Sequence, residues 1–314
     1  MLPIAQAAHN SGGKVIAQVK RLLDRPAPPN QVKVPGILVD HVVIADESEH
    51  PQTFAESLNA AYFSPRSSKE ALGEFESENM APGVRRIIAA RACDELLPGA
   101  IANLGIGIPE GVGRIAAERK ILDQITLTVE SGPIGGIPAG GLSFGASAWP
   151  EAIIDQPAQF DFYDGGGLDY AALGAAQVDQ FGNVNVSKFH DRVAGVGGFV
   201  NISQNARRVV FCGTLTSGGL EVEVVDGELR ILKEGSIRKF VDHVEQVSFS
   251  GKVAVQSGHE ILYVTERAVF QLTPEGLRLT EVAPGIDIQT QILNLIDFSP
   301  IVENVRPMNA SCFE

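Results

Sequence analysis

Apolar and polar positions along the chain alternate between two rhythms. GVRRIIAARACDELL (83–97) repeats its apolar positions every three to four residues, which predicts a helix ended by Pro98-Gly99. AIANLGI (100–106) is a short apolar run, the pattern of a strand buried on both faces. PEGVGRIAAERK (109–120) returns to the helical period, with Pro109 suited to a first turn. ITLTVE (125–130) is strand-like again. Strand, helix, strand predicts a βαβ unit in a buried parallel sheet.

The pattern extends in both directions. Upstream, LPIAQAAHN reads as helix, SGG as a turn, and KVIAQV and VPGILVDHVVIA (34–45) as strands. Residues 46–82 are polar and irregular, a connector with short helices. Downstream, the glycines at 165–167 lead into LDYAALGAAQV and read as a strand-to-helix turn, with Asp169 as the helix N-cap. FGNVNVSKF alternates around Gly182-Asn183, a hairpin signal. RRVVFCGTL (207–215) is a core strand. LEVEVVDGELRILKEG is a hairpin turning at Asp226-Gly227, and residues 262–285 form a further hairpin pair. IDIQTQILNLI (286–296) reads as a closing helix. The predicted fold class is therefore α/β: an open, mostly parallel sheet flanked by helices, with β-hairpin additions.

Composition fits that class and narrows the function. Of 314 residues, 44% are hydrophobic and 33 are glycine, enough for a large core with many tight turns. The net charge of -13 argues against non-specific nucleic-acid binding, which relies on Lys and Arg neutralising phosphates. A small anion would have to be held locally, by backbone N–H groups or a few basic side chains. Three scattered cysteines (Cys93, Cys212, Cys312) form no C-x-x-C, so reduced thiols in a cytoplasmic setting are expected. No apolar run reaches the ~18 residues of a membrane helix. The six histidines do not pair at metal spacing, so no metal site is expected. His190, between Lys188 and Arg192, is placed on a surface turn.

Three glycine-rich segments hold the candidate chemistry. In NLGIGIPEGV (103–112), Gly105 and Gly107 allow close backbone approach to a ligand. Glu110 at the third glycine position rules out the dinucleotide fingerprint, and no lysine follows to make a P-loop. In TLTVESGPIGG (126–136), Glu130 ends a strand and glycines follow. Ligands of open α/β sheets bind beyond the carboxyl ends of strands. A carboxylate there serves as a base, a metal ligand, a nucleophile, or simply a solvated turn residue. In DGGGLD (164–169), Gly166 and Gly167 offer backbone N–H groups, or only a turn. Ser131 lacks the G-x-S-x-G context of a hydrolase nucleophile.

Together these stretches resemble the family I coenzyme A transferases, the propionate/acetate type with two halves fused in one polypeptide. The matching segments are NLGIGIPEGV, TLTVESGPIGG, GGGLDYAALGAAQVDQFGNVNVSKF and ILYVTERAVFQLTPEGLRLTEVAPGIDIQTQIL, in family order. The resemblance implies that 83–314 is the second, glutamate-bearing domain and that 1–82 is the tail of the first half with a connector. It implies Glu130 as the covalent nucleophile of a ping-pong reaction between acyl-CoA and a short-chain carboxylic acid. Gly105, Gly107 and Pro109 are implied beside CoA, with Gly166 and Gly167 as further donors. Coenzyme A is then a substrate, and no tightly bound cofactor is expected. The partner is a first-half chain or further copies of this one, with no nucleic acid or membrane involved. An acyl-CoA hydrolase on the same scaffold and a non-catalytic truncated fragment are the alternatives.

Overall fold

A computed structural model describes residues 1–65 and 80–314, so part of the expected 46–82 connector lies outside the described residues. Contacts divide the chain into two compact units, Met1–Ala60 and Ala61–Glu314.

In the first unit a helix spans Leu2–Asn10, and the strands Ile16–Val19 and His41–Ile44 pair in parallel. Asp40 fastens them: its carboxylate accepts from the Val15 N–H at 2.9 Å and from Lys14 Nζ at 3.0 Å. The helix, the turn and the first strand expected here are present, but the segment 34–45 begins with a 3₁₀ turn, Gly36–Leu38, and only His41–Ile44 is strand.

The second unit is built on one ten-stranded sheet. In chain order its strands are β1 (Ile101–Leu104), β2 (Thr126–Thr128), β3 (Pro133–Ile134), β4 (Ala152–Ile153), β5 (Tyr170–Gly174), β6 (Arg208–Cys212), β7 (Glu260–Val264), β8 (Ala268–Thr273), β9 (Gly276–Val282) and β10 (Ile301–Pro307). Their order in space is β10-β9-β8-β7-β6-β5-β1-β2-β3-β4. The middle strands, β2-β1-β5-β6-β7, are all parallel, and antiparallel pairs flank them on both sides.

Side-chain alternation explains why the middle is buried on both faces. Val210 and Cys212 of β6 join Tyr170 and Ala172 of β5 in one core, under helices α1 (Val84–Cys93) and α2 (Glu110–Glu118). Val209 and Phe211 join Ala171 and Leu173 in the other core. Helices α3 (Gln156–Asp164), α4 (Phe199–Asn205) and α5 (Gly251–Ser257) supply Tyr163, Ile202 and Ala254 to that second core. The result is a helix–sheet–helix sandwich. Burying each large apolar side chain such as Phe211 contributes about 1.5–3 kcal/mol.

Three sequence expectations are corrected. Asp164–Asp169 is a helix-to-strand turn, because α3 precedes the glycines and β5 follows them. Asp169 does not cap a helix; its carboxylate accepts from the Ile101 N–H at the start of β1, 3.0 Å away. The closing helix at 286–296 is only a helical turn, Ile288–Gln291, and a 3₁₀ turn, Leu293–Leu295. Beyond it, β10 joins the sheet edge.

Candidate active site

Glu130 stands just past β2, at the carboxyl end of the parallel strands. The chain reverses there: Val129 N–H donates to Pro133 O at 2.9 Å and Gly132 N–H to Val129 O at 3.0 Å. Thr128 then faces Ile134 of the antiparallel β3. The glycines make this reversal possible. Gly132 has φ +124°, and a Cβ there would lie 1.9 Å from Ile154 O. At Gly136 (φ +73°) a Cβ would lie 2.2 Å from Ala148 O. The space beside these glycines is filled by the chain's own backbone and is not clearance for a ligand. Ser131 is exposed and donates its hydroxyl to Gly145 O.

The Glu130 side chain is partly buried, and burial pushes its pKa above the ordinary glutamate value. No ion pair holds it among the described residues. Gly198, at the amino end of α4, comes closest into view: a Cβ on it would lie 2.5 Å from Glu130 Oε2 and 2.9 Å from Phe160 Cζ. Gly198 and Phe160 escaped the sequence reading. The one local signal was the glycine pair 197–198 ahead of FVNIS; its meeting with Glu130 is a long-range contact that no spacing encodes.

Beneath Glu130 lies a buried polar cluster. The Tyr163 hydroxyl donates to Thr128 Oγ1 at 3.0 Å and accepts from Gln159 Nε2 at 2.8 Å. Thr128 Oγ1 in turn donates to Ala102 O at 3.0 Å, and Asn103 Nδ2 donates to Thr128 O at 3.2 Å. The cluster bolts α3 and β1 to β2, two residues before the carboxylate.

The glycine loops separate into two ends of the sheet. Gly105–Pro109 follows β1 and so sits at the same carboxyl end as Glu130. Gly105 N–H donates to Ala172 O at 2.8 Å, and Gly107 N–H to Glu110 Oε1 at 3.0 Å. These amides are engaged, although Gly107 has open space at φ +88°. Pro109 caps α2. Gly166 and Gly167 precede β5, whose Tyr170 pairs with Ala102 at the start of β1. They therefore lie at the amino end, away from Glu130. Their N–H groups close α3, donating to Tyr163 O at 2.9 Å and Phe162 O at 3.0 Å. A strand-to-helix turn, as the sequence suggests, would put them at the carboxyl end with Glu130; a strand follows them instead, which puts them at the opposite end.

Elsewhere at the carboxyl end, Arg267 and Glu266 follow β7 as a fully buried ion pair, Nε to Oε1 2.6 Å. Arg267 also binds Glu234 at 2.8 Å, and Leu215 N–H donates to Glu266 Oε2 at 3.0 Å. His190 is exposed, and its backbone N–H donates to Glu245 Oε2 at 2.6 Å. Among the described residues no His, Cys, Asp and Glu cluster could hold a metal ion, and no helix is long and apolar enough to cross a membrane.

No family model matches the chain. Individual proteins do. Acetate CoA-transferase YdiF of Escherichia coli K12 is 43% identical over 302 residues, covering 96% of this chain and 56% of YdiF. The beta subunit of acetate CoA-transferase from the same organism is 30% identical over 214 residues, covering 65% of this chain and 87% of the subunit. The chain belongs to the family I CoA-transferases. Among solved structures, the chain is similar to acyl-CoA transferase YdiF of E. coli O157:H7 in a thioester complex with CoA. There the TM-score is 0.84 and the identity 40%, covering 100% of this chain and 58% of that one. The chain spans a little over half the length of YdiF, itself a single chain, whereas it matches most of a separate beta subunit.

Proposed function

We propose that this chain supplies the nucleophile of a CoA-transferase and that the nucleophile is Glu130. The observation that carries the reading is a partly buried carboxylate, without an ion-pair partner among the described residues, at the carboxyl end of β2 beside the Gly105–Pro109 loop. Burial strips hydration from the carboxylate and keeps it basic, which favours attack on a thioester.

The steps balance without a cofactor. A Glu130 oxygen bonds to the acyl carbonyl of R–CO–S–CoA, the C–S bond breaks, and CoA leaves as thiolate. The product is an acyl-glutamyl anhydride. The thiolate attacks the glutamyl carbonyl, releasing R–COO⁻ and leaving a glutamyl-CoA thioester. A second carboxylate reverses both steps and departs as its CoA ester. Each attack builds charge on an oxygen that needs aimed donors. The Gly105 and Gly107 amides are engaged, so the Gly105–Pro109 loop is assigned the backing of CoA. Gly166 and Gly167 take no place beside the nucleophile in this reading.

The domain reading accompanies the chemistry. Residues 83–314 act as the second, glutamate-bearing half and 1–82 as the tail of a first half with its connector. The match to a separate beta subunit supports this reading. The remaining acid- and CoA-binding surface then comes from a first half, as part of the same polypeptide or as a second chain. Substrates are acyl-CoA and short-chain carboxylates. The buried unpaired thiols of Cys93, Cys212 and Cys312 suit a reducing cytoplasm.

The test is to incubate the chain with a first half and acetyl-CoA, reduce with borohydride, and map the product by mass spectrometry. The expected result is modification at Glu130, lost in Glu130→Ala. Absence of any Glu130 adduct in an active complex, or thioester hydrolysis that ignores added carboxylate, overturns the reading.

A further inference from the structure

We propose that the segment Gly140–Gly145 is a substrate-contacting flap, whose Leu142 and Phe144 cover bound acyl-CoA and keep water from the Glu130 thioester. The proposal rests on Glu130 as nucleophile and adds the cover over it.

The two ends of the flap locate it. At one end Ser131, the residue after Glu130, donates its hydroxyl to Gly145 O. At the other, a Cβ on Gly140 would stand 3.1 Å from Glu110 Oε2. Glu110 Oε1 in turn accepts from the Gly107 N–H at 3.0 Å. One end is therefore fixed to the neighbour of the nucleophile. The other rests on the carboxylate that holds the Gly105–Pro109 loop. Acyl-CoA backed by that loop and attacked by Glu130 lies between the same two points.

The stem of the flap is rigid and its tip is not. Two short strands, Ile137–Pro138 and Ser147–Ala148, pair antiparallel. Ser147 is fully buried, and its Oγ donates to Gly135 O at 2.9 Å. Beyond this stem the tip makes a 3₁₀ turn, Gly141–Ser143. Gly141 at φ +58° and Gly145 at φ +103° have no atom within 4 Å of their Cβ positions. Glycines in open space at left-handed dihedrals let a tip move on a fixed stem.

The tip carries apolar side chains into solvent. Leu142 is 68% exposed and Phe144 39%. Ile106, in the Gly105–Pro109 loop, is 62% exposed. One exposed apolar residue is ordinary, but three on the two segments that bracket the nucleophile make an apolar rim. The uncharged pantetheine arm of acyl-CoA, with its methyl and methylene groups, suits such a rim. Covering the arm also expels water, which would otherwise destroy the intermediate. In that loss, water adds to the glutamyl carbonyl and the C–S bond breaks. One proton goes to the departing thiolate and one to solvent, and Glu130 returns as carboxylate without transfer.

The experiment uses the transferase assembled with its first half. The Glu130 thioester is formed with acetyl-CoA, freed of acetate, and its half-life in buffer is followed by mass spectrometry. KM for acetyl-CoA is measured separately. Leu142→Ser combined with Phe144→Ser should raise that KM on the order of 10-fold, the effect of losing apolar side-chain contact. The same variant should shorten the thioester half-life severalfold. Leu142→Met combined with Phe144→Leu keeps the tip apolar and should restore both values. At exposed positions neither change should move the Tm appreciably. A natural KM and half-life in the serine variant overturn the proposal. So does weaker binding of the first half with an unchanged half-life, which assigns the tip to that interface. An active complex that forms no Glu130 thioester overturns the reading beneath it instead.

Discussion

Gly198 leaves Glu130 no room for a neighbour: a Cβ added to the glycine would stand 2.5 Å from the carboxylate oxygen Oε2. The contact joins the end of β2 to the start of α4, two elements on opposite sides of the α3 segment in sequence. The catalytic geometry proposed above depends on it.

Gly198→Ala should therefore damage chemistry more than folding. Its φ of -75° suits any residue, so the backbone accepts alanine. The methyl group would displace the carboxylate and the Phe160 edge together. Misplacing a reacting group by about 1 Å costs on the order of 10²-fold in rate. Single-turnover formation of the Glu130 adduct should fall by that order, with a Tm within a few degrees of the natural protein. An unaltered rate would mean that the oxygen facing Gly198 is not the one that reacts.

Gly132→Ala should do the reverse. At φ +124° and 1.9 Å from Ile154 O, the added methyl group collides with backbone, which cannot move as a side-chain tip can. Strain plus overpacking should cost about 3 kcal/mol or more, read as a fall in the urea midpoint. A variant of natural stability would show that the loop relaxes freely around Glu130.

The sheet's middle was legible because its strands obey simple rules. RVVFC at β6 is apolar on both faces, and β1, α2 and β2 follow the helix and strand periods. The hairpins at Gly182 and Asp226-Gly227 were legible from turn chemistry. YAALG misled because alanine is a strong helix former. The sheet uses Ala171 and Ala172 as small residues in its buried core, and burial overrides propensity. An available signal was Asp155-Gln156-Pro157, a capping residue followed by proline in a first turn, which marks the start of α3. Glu130 itself was legible as a strand end with glycines after it. Its surroundings were not, since Phe160, Tyr163 and Gly198 arrive from distant segments.

Arg267 tests how the carboxyl end of the sheet is held. Its side chain is fully buried and binds both Glu266 at 2.6 Å and Glu234 at 2.8 Å. Arg267→Met fills similar volume but leaves Glu266 charged, buried and unpaired. Breaking a buried pair from one side costs about 3–5 kcal/mol, whereas replacing both partners is far milder. Chemical denaturation should show that loss for Arg267→Met and partial recovery for the double variant with Glu266→Gln. Additive losses in the double variant would mean that the two groups do not depend on each other.

The pH dependence of Glu130 links its burial to its task. Burial raises its folded-state pKa above the ordinary value of 4.5. The folded chain therefore binds this proton more tightly than the unfolded chain does. The corresponding stability is fully present below the unfolded pKa and is lost as pH rises through the raised folded pKa. Above that window the protein keeps a desolvated carboxylate at a cost. Glu130→Gln removes the titrating group, so it should be neutral or stabilising at pH 7 and flatten the change in Tm just above pH 4.5. Catalysis should run the other way, because only the carboxylate attacks: the rate of adduct formation should climb through the same window in the natural protein. Opposite pH trends in stability and adduct formation, both abolished by Glu130→Gln, are the expected signature. Adduct formation that is flat from pH 4.5 to pH 7 in the natural protein would assign the nucleophile's ionisation to another group.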